Sequence, residues 1–166
     1  ALQLAQLALT DQKQQEEFVQ KFSGTDRDIV NYLGELVLAQ LDAQTQQFML
    51  LTAPLERLCG DLCNDVTETI NADITIARLE QAGLFLFALD RENKWFRYHH
   101  LFREFLLSQL EKSNKEAYCS LSLKAANWFK KQAHINEAVS YYLNAKQYDL
   151  ATELIAEHVS GIVQYR

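Results

Sequence analysis

Residues 84–102 read LFLFALDRENKWFRYHHLF. The run LFLFAL (84–89) is continuous, apolar and bulky, and Lys94-Trp95-Phe96-Arg97-Tyr98 is rich in aromatics. The polar stretch Asp90-Arg91-Glu92-Asn93 lies between them. Two β-prone runs joined by a tight polar turn predict a β-hairpin. Directly after it, Leu101, Phe102, Phe105, Leu106 and Leu110 recur at helical spacing, with Arg103, Glu104, Ser108 and Gln109 facing outward. A helix therefore opens at His99-His100. One hairpin set among helices is the pattern of a winged helix, a helix-turn-helix core with a wing.

The sequence before the hairpin supplies that core. Residues 1–22 read as one or two helices, with Leu2, Ala5 and Leu9 at helical spacing. Ser23-Gly24 is a break, and Thr25 or Asp26 can cap the next helix. Ile29, Leu33, Leu36, Val37 and Leu41 form its stripe, and a polar DAQTQQ stretch leads into a short helix with Phe48, Met49, Leu50 and Leu51. Pro54 ends it, because proline lacks the amide donor. A further helix carries Leu58, Leu62 and Val66. Asp73 can cap the helix over 73–83, which carries Ile74, Ala77 and Leu79 on one face and stops at Gly83.

After the hairpin and its helix, Lys112-Ser113-Asn114 reads as a linker. Three helices come next, over 116–132, 135–145 and 147–159. Ala125, Ala126, Trp128 and Phe129, then Ala138, Val139 and Tyr142, then Leu150, Ala151, Leu154 and Ile155 place small residues beside large ones. Short alanine-bearing helices with brief joins predict the start of a TPR-like α-solenoid. The expected organisation is a helical stub (1–22), a winged-helix domain (23–112) and the beginning of a helical-repeat domain (113–166), in a mainly α chain that reads as a segment of something longer.

Composition agrees with the class and narrows the chemistry. The 166 residues hold 5 glycines and the single proline, too few for a loop-rich β-sandwich or barrel. Neither GxxxxGK[ST] nor GxGxxG occurs, so no phosphate-cradling loop is present. The net charge of −6, with no strongly basic region, argues against direct nucleic-acid binding. The helix over 73–83 occupies the slot that reads DNA in DNA-binding winged helices. Its polar residues are Asp73, Thr75, Arg78, Glu80 and Gln81, one base and two acids, which suits protein contact better.

Cys59 and Cys63 are expected to be buried small residues on one helix, and three cysteines suit a reducing, cytoplasmic compartment. No catalytic set and no metal site stands out. Trp95, Phe96 and Tyr98 read as core and hairpin packing, Trp128 and Phe129 as inter-helix packing. His134 and His158 read as capping or exposed. Arg97 and Arg103 flank the histidines, where pairing with acids such as Glu104 is favoured over phosphate contact. A DNA-binding winged helix with an attached dimerisation bundle stays as the alternative to a regulatory module.

WFRYHHLFREFLL (95–107) resembles the MalT-like family of large ATP-dependent LuxR-type transcription activators. The likeness runs through ALQLAQLAL, FSGTDRDIVNYLGELVL, FMLLTAPLERLCGDLCNDVT, RLEQAGLFLFALDRENKWFRYHHLF and AANWFKKQAHINEAVSYYLNAKQYDLATELI in the family's order. It implies a longer protein with an upstream P-loop ATPase, this segment, a repeat domain sensing a small-molecule or protein inducer, and a downstream DNA-binding module. The segment itself would then be no enzyme. Its partners would be the ATPase and repeat domains of its own chain, with no direct DNA contact and no membrane, and ATP or ADP with Mg²⁺ would be the longer protein's cofactor. In the wider group of signal-transduction ATPases, a Met-His-Asp motif of the winged helix supplies a histidine to the ADP phosphate. Tyr98-His99-His100 is similar in placement, with Tyr98 at the methionine position and His100 at the aspartate position. The resemblance thus implies that His99 is the phosphate contact.

Overall fold

The structure, a computed structural model, describes residues 34–83 and 85–163, with side chains through Val159. The helices expected over 1–22, the break at Ser23-Gly24, the cap at Thr25 or Asp26, Ile29, Leu33 and Leu84 lie outside the described residues. The chain is mainly helical. After a helix over 34–40 (α1) come α2 (Ala43–Thr52), α3 (Gly60–Thr67) and α4 (Ala72–Gln81). The hairpin β1 (Leu86–Ala88) and β2 (Phe96–Tyr98) is next, then α5 (His100–Ser113), α6 (Ala117–Lys131), α7 (Ile135–Asn144) and α8 (Tyr148–Val163).

Each boundary has a local cause. Asp42 caps α2, its carboxylate accepting the Thr45 N–H at 2.9 Å and the Thr45 hydroxyl at 2.7 Å. The polar DAQTQQ stretch is therefore the cap and first turn of α2, not a lead into it. α3 begins only at Gly60, so Cys59 is its N-cap residue and Leu58 precedes it. Both cysteines are buried and unbridged. Gly83, at φ 65°, takes the left-handed turn that ends α4.

The start and the phase of α4 differ from the expected ones: Asn71 is the N-cap residue, and Asp73 lies inside the first turn. Ala72, Ile76 and Leu79 are buried, whereas Ile74 is 60% exposed and Ala77 is also exposed. The Asn64 side chain accepts the Ala72 N–H at 2.9 Å, tying the start of α4 to α3 and fixing its rotation.

The hairpin pairs Leu86 with Tyr98, Phe87 with Arg97 and Ala88 with Phe96. Its turn is closed by the Asp90 carboxylate, which accepts the amides of Lys94 (2.9 Å) and Trp95 (3.0 Å). Leu58 adds a third, one-residue rung, exchanging both main-chain hydrogen bonds with Phe96 at 2.7 and 2.8 Å. The connector between α2 and α3 is thereby sewn to the wing.

Above this core, α6, α7 and α8 zigzag with alanines at the contacts: Ala125, Ala126 and Ala138 are fully buried. The two joins repeat one geometry. Ala133 and Lys146 lie at φ 60° and 59°. Beyond them the amides of His134 and Gln147 reach back to Phe129 O (3.0 Å) and Tyr142 O (2.8 Å). Both are left-handed helix ends of the Schellman type, as a stacked helical repeat would have. One hydrophobic core runs from α1 through the hairpin to α8. At Gly34 a Cβ would fall 2.6 Å from the Phe105 ring, so glycine is what lets α1 lie against α5.

Candidate functional site

β2 leads directly into His99, the N-cap residue of α5, and His100, its first residue. Tyr98 is buried, and its hydroxyl shares a 2.9 Å hydrogen bond with Thr52 at the end of α2. Burial holds that phenol far above its ordinary range, so it stays protonated. His99 is spent at both main-chain ends. Its N–H donates to Phe85 O at 2.7 Å across the hairpin, and its carbonyl accepts the Arg103 N–H at 2.9 Å as the first acceptor of α5.

Its side chain is not so engaged. The ring stacks on His100 at 4.5 Å and tilts against Phe87 at 6.0 Å, while its buried Nδ1 has no hydrogen-bond partner. A helix N-terminus presents unpaired amides and a positive dipole end, and no acid occupies the first turn of α5. A cleft of about 550 Å³ opens here, lined by Glu56, Phe87, Arg97, Tyr98, His99, His100, Arg103 and Glu104.

Loss of water around the ring, then the charges of His100 and Arg97, push the His99 pKa below its ordinary value of 6.5. The folded chain thus binds fewer protons than the unfolded one as pH falls through that value. Stability then rises with pH in the window below about 6.5. Urea unfolding at stepped pH should show this slope, and His99→Asn should flatten part of it.

Arg103 differs from expectation. It makes no ion pair with Glu104. Its guanidinium reaches back to the α2–α3 connector, Nε to Ala53 O (3.0 Å) and Leu55 O (3.2 Å), Nη2 to Pro54 O (3.0 Å). A proline turn leaves carbonyls in need of donors, and the planar fork serves three. Arg97 is exposed and has no ion-pair partner among the described residues. Arg103→Ala should cost about 1–3 kcal/mol, the scale of hydrogen bonds from a charged donor. Arg103→Lys should recover only part of it, as urea midpoints would show.

The structure also assembles a group that the sequence did not announce. Arg57 lies over the Trp95 ring at 4.2 Å and near Phe129 at 5.6 Å, and pairs with Glu137 of α7. Trp95 meets Trp128 edge to face at 6.3 Å, so it belongs to the contact between wing and repeat helices as well as to the hairpin. Phe129 packs against Trp128 and Tyr141, as inter-helix packing requires. His134 precedes α7 and His158 is exposed. Burial raises both the Cys59 and Cys63 thiols, which makes them poor nucleophiles.

Among the described residues, no group of three or more His, Cys, Asp or Glu could hold a metal ion. No helix among them is long and apolar enough to cross a membrane.

The chain is similar to proteins of known family. Serine/threonine-protein kinase PknK of Mycobacterium tuberculosis is 30% identical over 162 residues, covering 98% of this chain and 15% of its own length. HTH-type transcriptional regulator MalT of Klebsiella pneumoniae is 28% identical over 167 residues, 99% of this chain and 18% of its own. The MalT of Vibrio campbellii is 30% identical over 131 residues, 76% and 14% respectively. The chain thus spans less than a fifth of the length of these relatives. The family model of the MalT winged helix domain matches residues 33–118, from α1 through the wing and α5 into the start of α6. With helix-turn-helix, wing and following helix all in place, the chain belongs to the MalT winged helix domain family.

Proposed function

We propose that this chain is the regulatory winged-helix module of a longer, ATP-dependent, inducer-responsive transcription activator of the bacterial cytoplasm. The module docks on the nucleotide-bound ATPase domain of its own protein and relays to it the state of the helical repeats that begin at residue 113. The observation that carries this reading is His99. It stands at the N-terminal end of α5, fixed by both main-chain ends, with a ring that makes no hydrogen bond among the described residues and whose buried Nδ1 is unpartnered. A phosphate group fits that setting, since helix amides and an imidazole N–H both donate to anions. ADP with Mg²⁺ would bring the phosphate; His99 would hold it, with Arg97 adding charge at the same cleft.

Two further observations favour regulation over output chemistry. A segment shared by one relative named as a kinase and others named as transcriptional regulators suits a role separable from either output. The outer face of α4 carries one cation, Arg78, beside the exposed Ile74 and, just before the helix, Ile70 at 88% exposure. Such a face suits protein contact better than a phosphate backbone.

The test is a pair of titrations of the chain, against the ADP-loaded ATPase domain of its own protein and against duplex DNA at low salt. Binding to the ADP-loaded domain with no DNA shift is expected. A salt-dependent DNA shift, with a slope reflecting several phosphate contacts, would instead establish the DNA-binding reading.

A further inference from the structure

Residues 53–58, between α2 and α3, are gripped from two sides. From the repeat side, the Tyr141 hydroxyl accepts the Glu56 N–H at 2.8 Å, and Arg57 is held by Glu137 and the aromatic faces of Trp95 and Phe129. Tyr141 is itself stacked on Phe129 at 5.3 Å with ring planes 7° apart, so α6 and α7 present one preformed surface to the connector. From the wing side, Arg103 bonds the carbonyls of Ala53, Pro54 and Leu55, and Leu58 is paired with Phe96. Arg103 sits one turn beyond His99 and donates its own amide to the His99 carbonyl. The six-residue segment therefore touches the repeat helices at its centre, Arg103 in the first turn of α5 at its start and Phe96 of β2 at its end.

We propose that residues 53–58 are the mechanical link through which the repeat helices set the position of the α5 N-terminus and its histidines. Arg57 and Tyr141 are positioning residues in it: neither bonds to His99, and both act through the connector and Arg103. The contact between Lys124 and Glu68, with Lys124 also reaching Val66 O, lies on the same interface but bypasses the connector, and serves as the internal control. The proposal rests on the reading of the chain as a relay, and names the part that carries the displacement.

Amide hydrogen exchange and histidine ring resonances of the nucleotide-free chain test it. Arg57→Ala and Tyr141→Phe should each speed exchange of the Leu58 and Phe96 amides by about tenfold, the factor one hydrogen bond of ordinary net strength provides. Both should also shift the His99 and His100 ring signals. Lys124→Ala should leave all four unchanged. Tyr141→Phe keeps the ring on Phe129, and so decides the matter even if Arg57→Ala fails to fold. Changes confined to α6 and α7, or an equal effect of Lys124→Ala, would overturn the link. No nucleotide is present in this experiment, so its failure is separate from any failure of the phosphate role of His99.

Discussion

Phe102→Ala should destabilise the chain by about 3–5 kcal/mol, the range for deleting a buried aromatic side chain. Phe102 is 1% exposed and stacks on Phe85 at 4.3 Å with ring planes 14° apart. It also meets Tyr98 edge-on at 6.1 Å and Phe105 at 5.9 Å. The loss exceeds a simple cavity because of Phe85. That residue sits at φ 58°, where an L side chain with a bulky ring is strained by about 1–2 kcal/mol. Stacking on Phe102 helps hold it there, and its carbonyl is what the His99 N–H bonds. Removing the partner ring loosens the hairpin base and the histidine end of α5 together. With a typical total stability of about 5–15 kcal/mol, much of the margin goes. Thermal and urea unfolding of the chain would measure it. Phe102→Leu, which keeps most of the volume, should cost well under half as much, and a loss below about 1 kcal/mol for Phe102→Ala would show that α5 is not anchored through this ring.

The wing was the most legible feature, because a change of period from helical to continuous apolar, broken by Asp90–Asn93, has few other readings. The helices over 116–132 and 135–145 were legible within a residue of Ala117–Lys131 and Ile135–Asn144, since alanine and aromatic positions recur there without conflict. The face of α4 was not. In ADITIARLEQ two apolar stripes compete, one through Ile74 and Ala77 and one through Ala72, Ile76 and Leu79. A ten-residue helix is too short for periodicity to separate them, and the tie is broken by Asn64, eight positions before Ala72.

The partners of Arg103 were not legible for a related reason. Glu104 is its neighbour in sequence, but adjacent helix positions do not face each other, and the groups that need its donors are carbonyls about fifty residues earlier. Arg57 carried no pattern at all. A single cation in a connector becomes significant only when Trp95, Phe129 and Glu137 arrive from three later elements. His99 was legible as a position. The unpartnered Nδ1 of its ring and the cleft beside it emerged only from the fold.

The role proposed for that ring is tested most directly by the rate of ADP release from the longer protein, wild type against His99→Ala. A hydrogen bond from imidazole to a charged phosphate contributes about 1.5–3 kcal/mol, which corresponds to about a tenfold to hundredfold faster release. Because the pKa of His99 is depressed, the wild-type ring is neutral at pH 7, and the bond is made by a neutral N–H unless phosphate itself draws the proton back. His99→Gln, which keeps a donor, should retain part of the effect. Inducer-free activity should rise in step with release, since the docked winged helix is the resting state of the proposed switch. Faster ADP release with raised basal activity in His99→Ala is the predicted result. An unchanged release rate together with unchanged basal activity would contradict the account.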